Sequence, residues 1–346
     1  MLKHFKIQKS RAVQVSLPEG CGGVVQLSPA PGTAQGANKG DLMLEIAIML
    51  EGQHGLNWAR WEKIVRLVEE LGFVGLYRSD HFTNANPPDL DSLELWTSLT
   101  WLACNTSRIE FGPLVTPFSF RNPVFTARIG STVDDLSGGR LTLGLGAGWQ
   151  EREHHLFGFD LLQPQARFDR FEEGMQVVTQ LLQSEGPVTF EGKYYQLRGG
   201  TLLPRSQRKG GPRILIGGEG EKRTLPAVVR YADEWNCVML LPDEFARKNS
   251  ILNELLASAG RSQGSVRRSM MTACVFGKDD VALKEKLLAR KRTVDELQAR
   301  GTVAGGPNQV REQLNVLEEA GLQRVMLQWL DLDDLAGLET LAKAVL

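Results

Sequence analysis

From Leu44 onward the chain alternates short apolar runs with longer stretches of helical period, and it does so eight times. The apolar runs are Leu44–Leu50, Phe73–Tyr77, Ile109–Val115, Leu141–Leu145, Ile214–Ile216, Trp235–Leu240, Met270–Phe276 and Val325–Trp329. Each is too short for a buried helix and reads as a strand. Strand–helix alternation implies parallel strands joined by right-handed crossovers. Eight such units within roughly 300 residues predict an α/β fold of the closed (β/α)8 type, a TIM barrel, rather than an open doubly wound sheet.

The intervening helices carry their own signals. Asn57 caps a helix with Trp58, Trp61, Ile64, Val65 and Val68 on one face, and Gly72 ends it. Asp169–Leu182 is amphipathic through Phe171, Met175, Val178 and Leu182. After it, Val188–Leu197 around Glu191-Gly192 reads as an inserted β-hairpin. Thr224–Tyr231 and Glu244–Ala259 read as helices, Asp280–Arg300 as one long charged helix, and Gln309–Ala320 and Leu332–Val345 as the last two. Residues 43–346 thus form one barrel domain. Residues 1–42 differ: Ser16–Gly40 holds six Gly and three Pro in 25 residues without amphipathic period, the composition of a disordered tail.

Charge and cysteine usage exclude several classes. Forty Lys and Arg stand against 41 Asp and Glu, so the basic excess of a general nucleic-acid binder is missing. No apolar run approaches the ~18 residues that cross a membrane, and no secretory signal is evident. Cys21, Cys104, Cys237 and Cys274 lack clip or redox-pair spacing, which fits reduced thiols in a cytoplasmic protein. His154-His155, flanked by Glu151 and Glu153, lacks the H-E-x-x-H arrangement of a metal site and reads as a solvated helix start. No G-x-S-x-G elbow or Walker A motif occurs.

In such a barrel the active site lies at the C-terminal ends of the strands, so the residues that follow each run are the candidates. Glu51 follows the first. Asp80-His81 follows the second, and a histidine beside a carboxylate can exchange a proton near neutral pH. Thr116 follows the third. Gly146-Ala147-Gly148-Trp149 follows the fourth; Trp149 occupies the third glycine position of a dinucleotide fingerprint, which rules out the close packing that motif needs. Gly217-Gly218-Glu219-Gly220 follows the fifth and opens the helix at Thr224, where backbone N–H groups make a phosphate seat to which Lys222 and Arg223 can add charge.

Taken together, the stretches EELGFVGLYRSDHF (69–82), RIEFGPLVTPFSFRNP (108–123), DDLSGGRLTLGLGAGWQEREHHLFG (134–158), RFDRFEEGMQVV (167–178) and ILIGGEGEKRTLPAVVRYADEWN (214–236) resemble the luciferase-like flavin/deazaflavin oxidoreductase superfamily, especially its coenzyme F420-dependent branch. The resemblance implies a luciferase-like TIM barrel that binds F420, or alternatively FMN, at the strand ends. It implies Asp80 and His81 beside the reacting ring as catalytic residues, and a non-prolyl cis peptide near Val115-Thr116 against the ring face. It further implies cofactor phosphate contacts from Gly146, Ala147, Gly148, Gly217, Gly218 and Gly220. Trp149 and Glu51 are expected on the substrate side. Trp149 stands where some F420-dependent relatives carry an acid, a departure that argues against sugar-phosphate oxidation.

The function so implied is F420-dependent hydride transfer to or from a small organic substrate, His81 moving the proton and Asp80 orienting it or contacting cofactor. The alternative is an FMN-dependent monooxygenase of the alkanesulfonate type. The expected partners are a small-molecule substrate and a flavin or F420 reductase, and helix faces with Trp58, Trp96 and Trp101 suit a homodimer as well as a core. No nucleic acid, membrane or metal is expected.

Overall fold

The structure, a computed structural model, describes residues 44–346; the tail expected at 1–42 lies outside them. Strand β1 (Glu45–Leu50) shows why its sequence makes a barrel stave. Ile46, Ile48 and Leu50 point outward into the large core shared with the helices. Ala47 and Met49 point inward, to a smaller cluster with Tyr77, Leu215 and Met326. Both faces are buried, so the run is apolar throughout and its period of two is visible only in side-chain size.

The staves run in the order β1, β2 (Gly75–Arg78), β3 (Glu110–Pro113) continuing as β4 (Thr116–Pro117), β5 (Thr142–Gly146), β8 (Arg213–Gly217), β9 (Glu234–Val238), β10 (Arg267–Phe276) and β12 (Arg324–Gln328), which returns to β1. Every pairing is parallel. Closure falls on the divided third stave: β3 pairs with β2, β4 with β5 through Thr116↔Leu145, and the Phe111 amide donates to the Arg140 carbonyl at 3.2 Å. The eight staves lie where the apolar runs place them.

Around the barrel lie α1 (Trp58–Leu71), α2 (Leu95–Asn105), α3 (Pro123–Leu136), α5 (Pro164–Gln183), α6 (Thr224–Tyr231), α7 (Pro242–Ser258), α10 (Pro307–Glu319) and α11 (Leu335–Val345). A short α4 (Glu151–Phe157) follows β5. The hairpin β6 (Val188–Glu191) and β7 (Gln196–Gly200) is inserted before β8, and Glu173 of α5 holds its turn by accepting the amides of Lys193 and Tyr194 at 2.9 and 2.7 Å. One expectation fails in detail. The helix predicted over 280–300 is two helices, α8 (Asp280–Arg290) and α9 (Val294–Gln298), because Lys291 turns left-handed (φ 51°) and Thr293 with Glu296 builds a capping box. A short strand β11 (Val303–Gly305), not expected from sequence, pairs with the outer half of β10. Among the described residues no helix is long and apolar enough to cross a membrane.

The barrel floor is closed by charge rather than by apolar side chains. Arg324 of β12, 1% exposed, meets Glu45 of β1 at 2.6 Å, Glu110 of β3 at 2.8 Å and the Tyr77 hydroxyl of β2 at 2.7 Å. Arg267 of β10 adds contacts to Glu110 and Glu234, both at 3.4 Å, and Arg213 of β8 reaches Glu110 at 3.0 Å. Burial works against the Arg324 charge, but Tyr77 and the surrounding carboxylates outweigh it and hold its pKa above the ordinary arginine value. Replacing Arg324 with leucine leaves the buried Glu234 and the partly buried Glu45 and Glu110 without their shared partner; a loss of ~3–5 kcal/mol of stability is expected, read from the urea midpoint.

Candidate active site

At the opposite end the staves open into a cavity of about 620 Å³. Of the twelve site candidates named from the sequence, all but Thr116 line it. Thr116 is buried behind the wall, where its hydroxyl donates to Asp80 at 2.6 Å.

Asp80 and His81, neighbours in the chain, take different partners. Asp80 is 6% exposed and forms an ion pair with Arg121, which also meets Glu94 at 3.0 Å. Burial works against the Arg121 charge, but Asp80 and Glu94 together hold its pKa above the usual value. His81 makes its hydrogen bond to Glu153 of α4: Nδ1 lies 2.8 Å from Oε1, while the carboxylate's other oxygen accepts the Phe82 amide at 2.9 Å. Glu153, not Asp80, therefore orients the imidazole. With Nδ1 engaged by an acceptor, Nε2 is the nitrogen left for the cavity. Burial alone would lower the His81 pKa; the Glu153 carboxylate, aided by Glu51 and Asp80, raises it above the ordinary histidine value.

The sequence reading placed Glu151–His155 at a solvated helix start, and here the structure differs. Glu153 and His154 are 1% and 2% exposed, because α4 lies across the barrel mouth with these two side chains turned inward. His154 Nδ1 is 2.6 Å from the Gln150 carbonyl, which can only accept, so Nδ1 carries the proton and Nε2 accepts from the Ser119 hydroxyl at 2.7 Å. Burial lowers the His154 pKa and favours this neutral form. Among the described residues, no group of three or more His, Cys, Asp and Glu is placed to hold a metal ion.

One wall of the cavity is bare backbone packed on a single side chain. The peptide Leu114–Val115 is cis, one residue before the expected position, and Val115 faces the glycines of β5 and β8. A Cβ on Gly146 would stand 2.5 Å from Val115 Cγ2, and one on Gly217 3.3 Å from its Cγ1. Gly146, expected beside a phosphate, is thus required first by Val115, and Gly217 packs closely on the same side chain. Gly218, with φ 121°, turns the chain into the loop before α6. Of the two charges expected near that loop, Arg223 pairs with Asp169 at 2.6 Å, and Lys222 is exposed.

The cation that does line the cavity is Arg167, at the start of α5. Its Nη1 donates to the Gly148 carbonyl at 2.9 Å, its buried Nε has no hydrogen-bond partner, and among the described residues no carboxylate pairs with it. Trp149, 62% exposed, stands at the mouth with its ring edge-to-face on His81, centroids 5.5 Å apart. Glu51 accepts from the side-chain amides of Gln53 and Gln328 at 2.8 and 2.7 Å. Sequence reasoning missed Glu153 and Arg167. Both sit in charged helical stretches, and no local pattern separates an inward acid or base there from a solvated one.

The mouth of the parallel eight-stave barrel thus gathers a histidine, a glycine wall and an arginine without a carboxylate partner among the described residues in one cavity. The family model for luciferase-like monooxygenases matches residues 40–293, and the chain belongs to that family. Among curated proteins it is similar to an F420-dependent glucose-6-phosphate dehydrogenase of Kineococcus radiotolerans, 30% identical over 61% of this chain and 62% of the relative. The chain thus spans less than two thirds of that relative's length. Among solved structures it superposes on an F420-dependent secondary alcohol dehydrogenase in complex with an F420–acetone adduct (TM-score 0.76, 18% identity, 88% of this chain and 99% of that one). It also superposes on a riboflavin lyase with modified FMN (TM-score 0.73, 15% identity, 87% and 90%).

The Glu153 contact makes a measurable difference. In Glu153→Gln the carboxylate that raises the His81 pKa is gone while burial remains, so the imidazole is expected to titrate at lower pH than in the parent protein; histidine NMR titration reads the shift directly.

Proposed function

We propose that the protein is an oxidoreductase that uses coenzyme F420 to pass a hydride to or from a small organic substrate. The observation that carries this reading is the partnerless, buried Arg167 Nε in the same glycine-walled cavity as His81. A flat heterocycle with an anionic tail fits that combination: the Val115–glycine wall and Met49 and Met271 offer apolar surface for a ring, and Arg167, Thr224 and the 217–220 loop offer donors for a phosphate. The deazaflavin supplies the hydride acceptor or donor; the chain supplies position and the proton.

For an alcohol, F420 held in this cavity would supply the hydride acceptor, and His81 Nε2 would take the hydroxyl proton. Carbonyl reduction is the reverse. Glu153 keeps Nε2 turned to the cavity and favours the protonated imidazole, the form needed to donate to a carbonyl. Asp80, held by Arg121 and Thr116, acts as a fixed part of the wall. A separate reductase restoring the cofactor's redox state and a homodimer belong to the same proposal.

The second reading, an FMN-dependent monooxygenase, rests on the fold shared with the FMN-containing riboflavin lyase structure. Titration of the full chain with reduced F420 and reduced FMN separates the two: binding of reduced F420 supports the first, and binding of reduced FMN alone removes it. His81→Asn is expected to retain cofactor binding while turnover falls by about 10²–10⁴, the usual weight of a positioned acid–base group.

A further inference from the structure

Helix α4, lying across the barrel mouth, is built as a separable piece. It spans seven residues between Gly148 (φ 86°) and Gly158 (φ 73°), left-handed positions at which glycine lets the chain change direction. Its edge toward the 82–89 loop is fastened from outside by charge. Both terminal nitrogens of Arg152 meet the Asp89 carboxylate, at 2.6 and 2.7 Å, and one also donates to the Asn84 carbonyl at 3.0 Å. Inside, the Gln150 side-chain amide donates to the Thr83 carbonyl at 2.8 Å, and Glu153 holds His81 and the Phe82 amide. The seam itself is incompletely satisfied. Gln150 Oε1, Thr83 Oγ1 and Asn84 Oδ1 are buried without a hydrogen-bond partner in the protein, three of the eight such atoms among the described residues. Parting the seam gives these atoms to water, so it costs less than opening a fully bonded contact.

We infer that α4 is a lid over the cavity and that Arg152 is its positioning residue, the fork on Asp89 keeping Glu153 against His81. The lid deepens the proposed function and rests on it only in taking His81 as the group that moves the proton. Closure and protonation are linked through the Glu153 contact. A protonated His81 forms an ion pair with Glu153 and a neutral one only a hydrogen bond. Because the closed lid raises the imidazole pKa, it is held most firmly below that pKa and loosens as pH rises through it. Passing the proton to a carbonyl therefore loosens the lid as product forms. The other charged groups at this end stay with the barrel wall: Asp80 is paired with Arg121, and Glu51 is held by Gln53 and Gln328 with the buried Arg78 beside Gly52. His154, the other titratable side chain that α4 turns inward, is bonded to Gln150 and Ser119.

The experiment is amide hydrogen exchange of the full chain without cofactor, read by NMR at Phe82, whose amide bond to Glu153 crosses the seam. Arg152→Ala is expected to speed Phe82 exchange by ~twofold to fivefold, the weight of one exposed ion pair. The Val74 amide, which donates to the Ile46 carbonyl within the barrel, is expected to stay unchanged. Arg152→Lys, which keeps a charge for Asp89, is expected to recover part of the protection. In the parent protein, Phe82 exchange corrected for its intrinsic chemistry is expected to rise as pH passes up through the His81 titration, and Glu153→Gln to remove that step. Phe82 exchange unmoved by Arg152→Ala, an equal rise at Val74, or a flat corrected pH profile in the parent overturns the inference. The pH profile needs no variant, so it decides the matter even where Arg152→Ala fails to fold. Failure of F420 to bind removes the proposed function and leaves the exchange result as measured.

Discussion

Arg324 is the contact on which the barrel depends. One buried guanidinium is shared by carboxylates from β1 and β3 and by the Tyr77 hydroxyl of β2, with Glu234 of β9 at 3.6 Å. Buried charges are tolerable only when each finds its partners, so these strands are held to one register. A slip of one residue would turn every inward side chain of a stave outward. The register set at the floor runs on to the mouth. Along β1 the inward positions go from Glu45 through Ala47 and Met49 to Glu51, and along β12 from Arg324 through Met326 to Gln328, which meets Glu51 again.

At the mouth the same logic separates two carboxylates that lie close together. Asp80 is held by an arginine and a hydroxyl as part of the wall, with burial still pushing its pKa above the ordinary carboxylate value. Glu153 faces only a histidine and a backbone amide, so its charge acts on a group that titrates near neutral pH. Proton affinity at the site is therefore set by a residue from a short helix lying across the barrel mouth.

Much of this was legible in the chain. The eight apolar runs predict eight staves, and eleven of the twelve candidates named at or just after their ends line the cavity. What escaped has physical causes. The strand Val303–Gly305 is three residues long and pairs only with the overhang of β10, too short for any periodic signal. The break at Lys291 follows from a capping box whose Thr and Glu look like ordinary surface residues in a charged helix. Glu153 read as solvated and Arg167 drew no assignment because nothing near them in sequence records which way their helices face.

By itself the sequence determined the alternation of strand and helix, the parallel barrel and the end of it where chemistry is placed, because these follow from local periodicity and from the direction in which parallel strands end. Only the tertiary structure decided that His81 is held by Glu153, that Gly146 is bare for Val115 with Gly217 close by, and that Arg167 lines the cavity with no carboxylate partner among the described residues. The contacts among these join residues 31 to 102 positions apart in the chain, and a hydrogen bond or a close approach across such separations exists only once the barrel has closed.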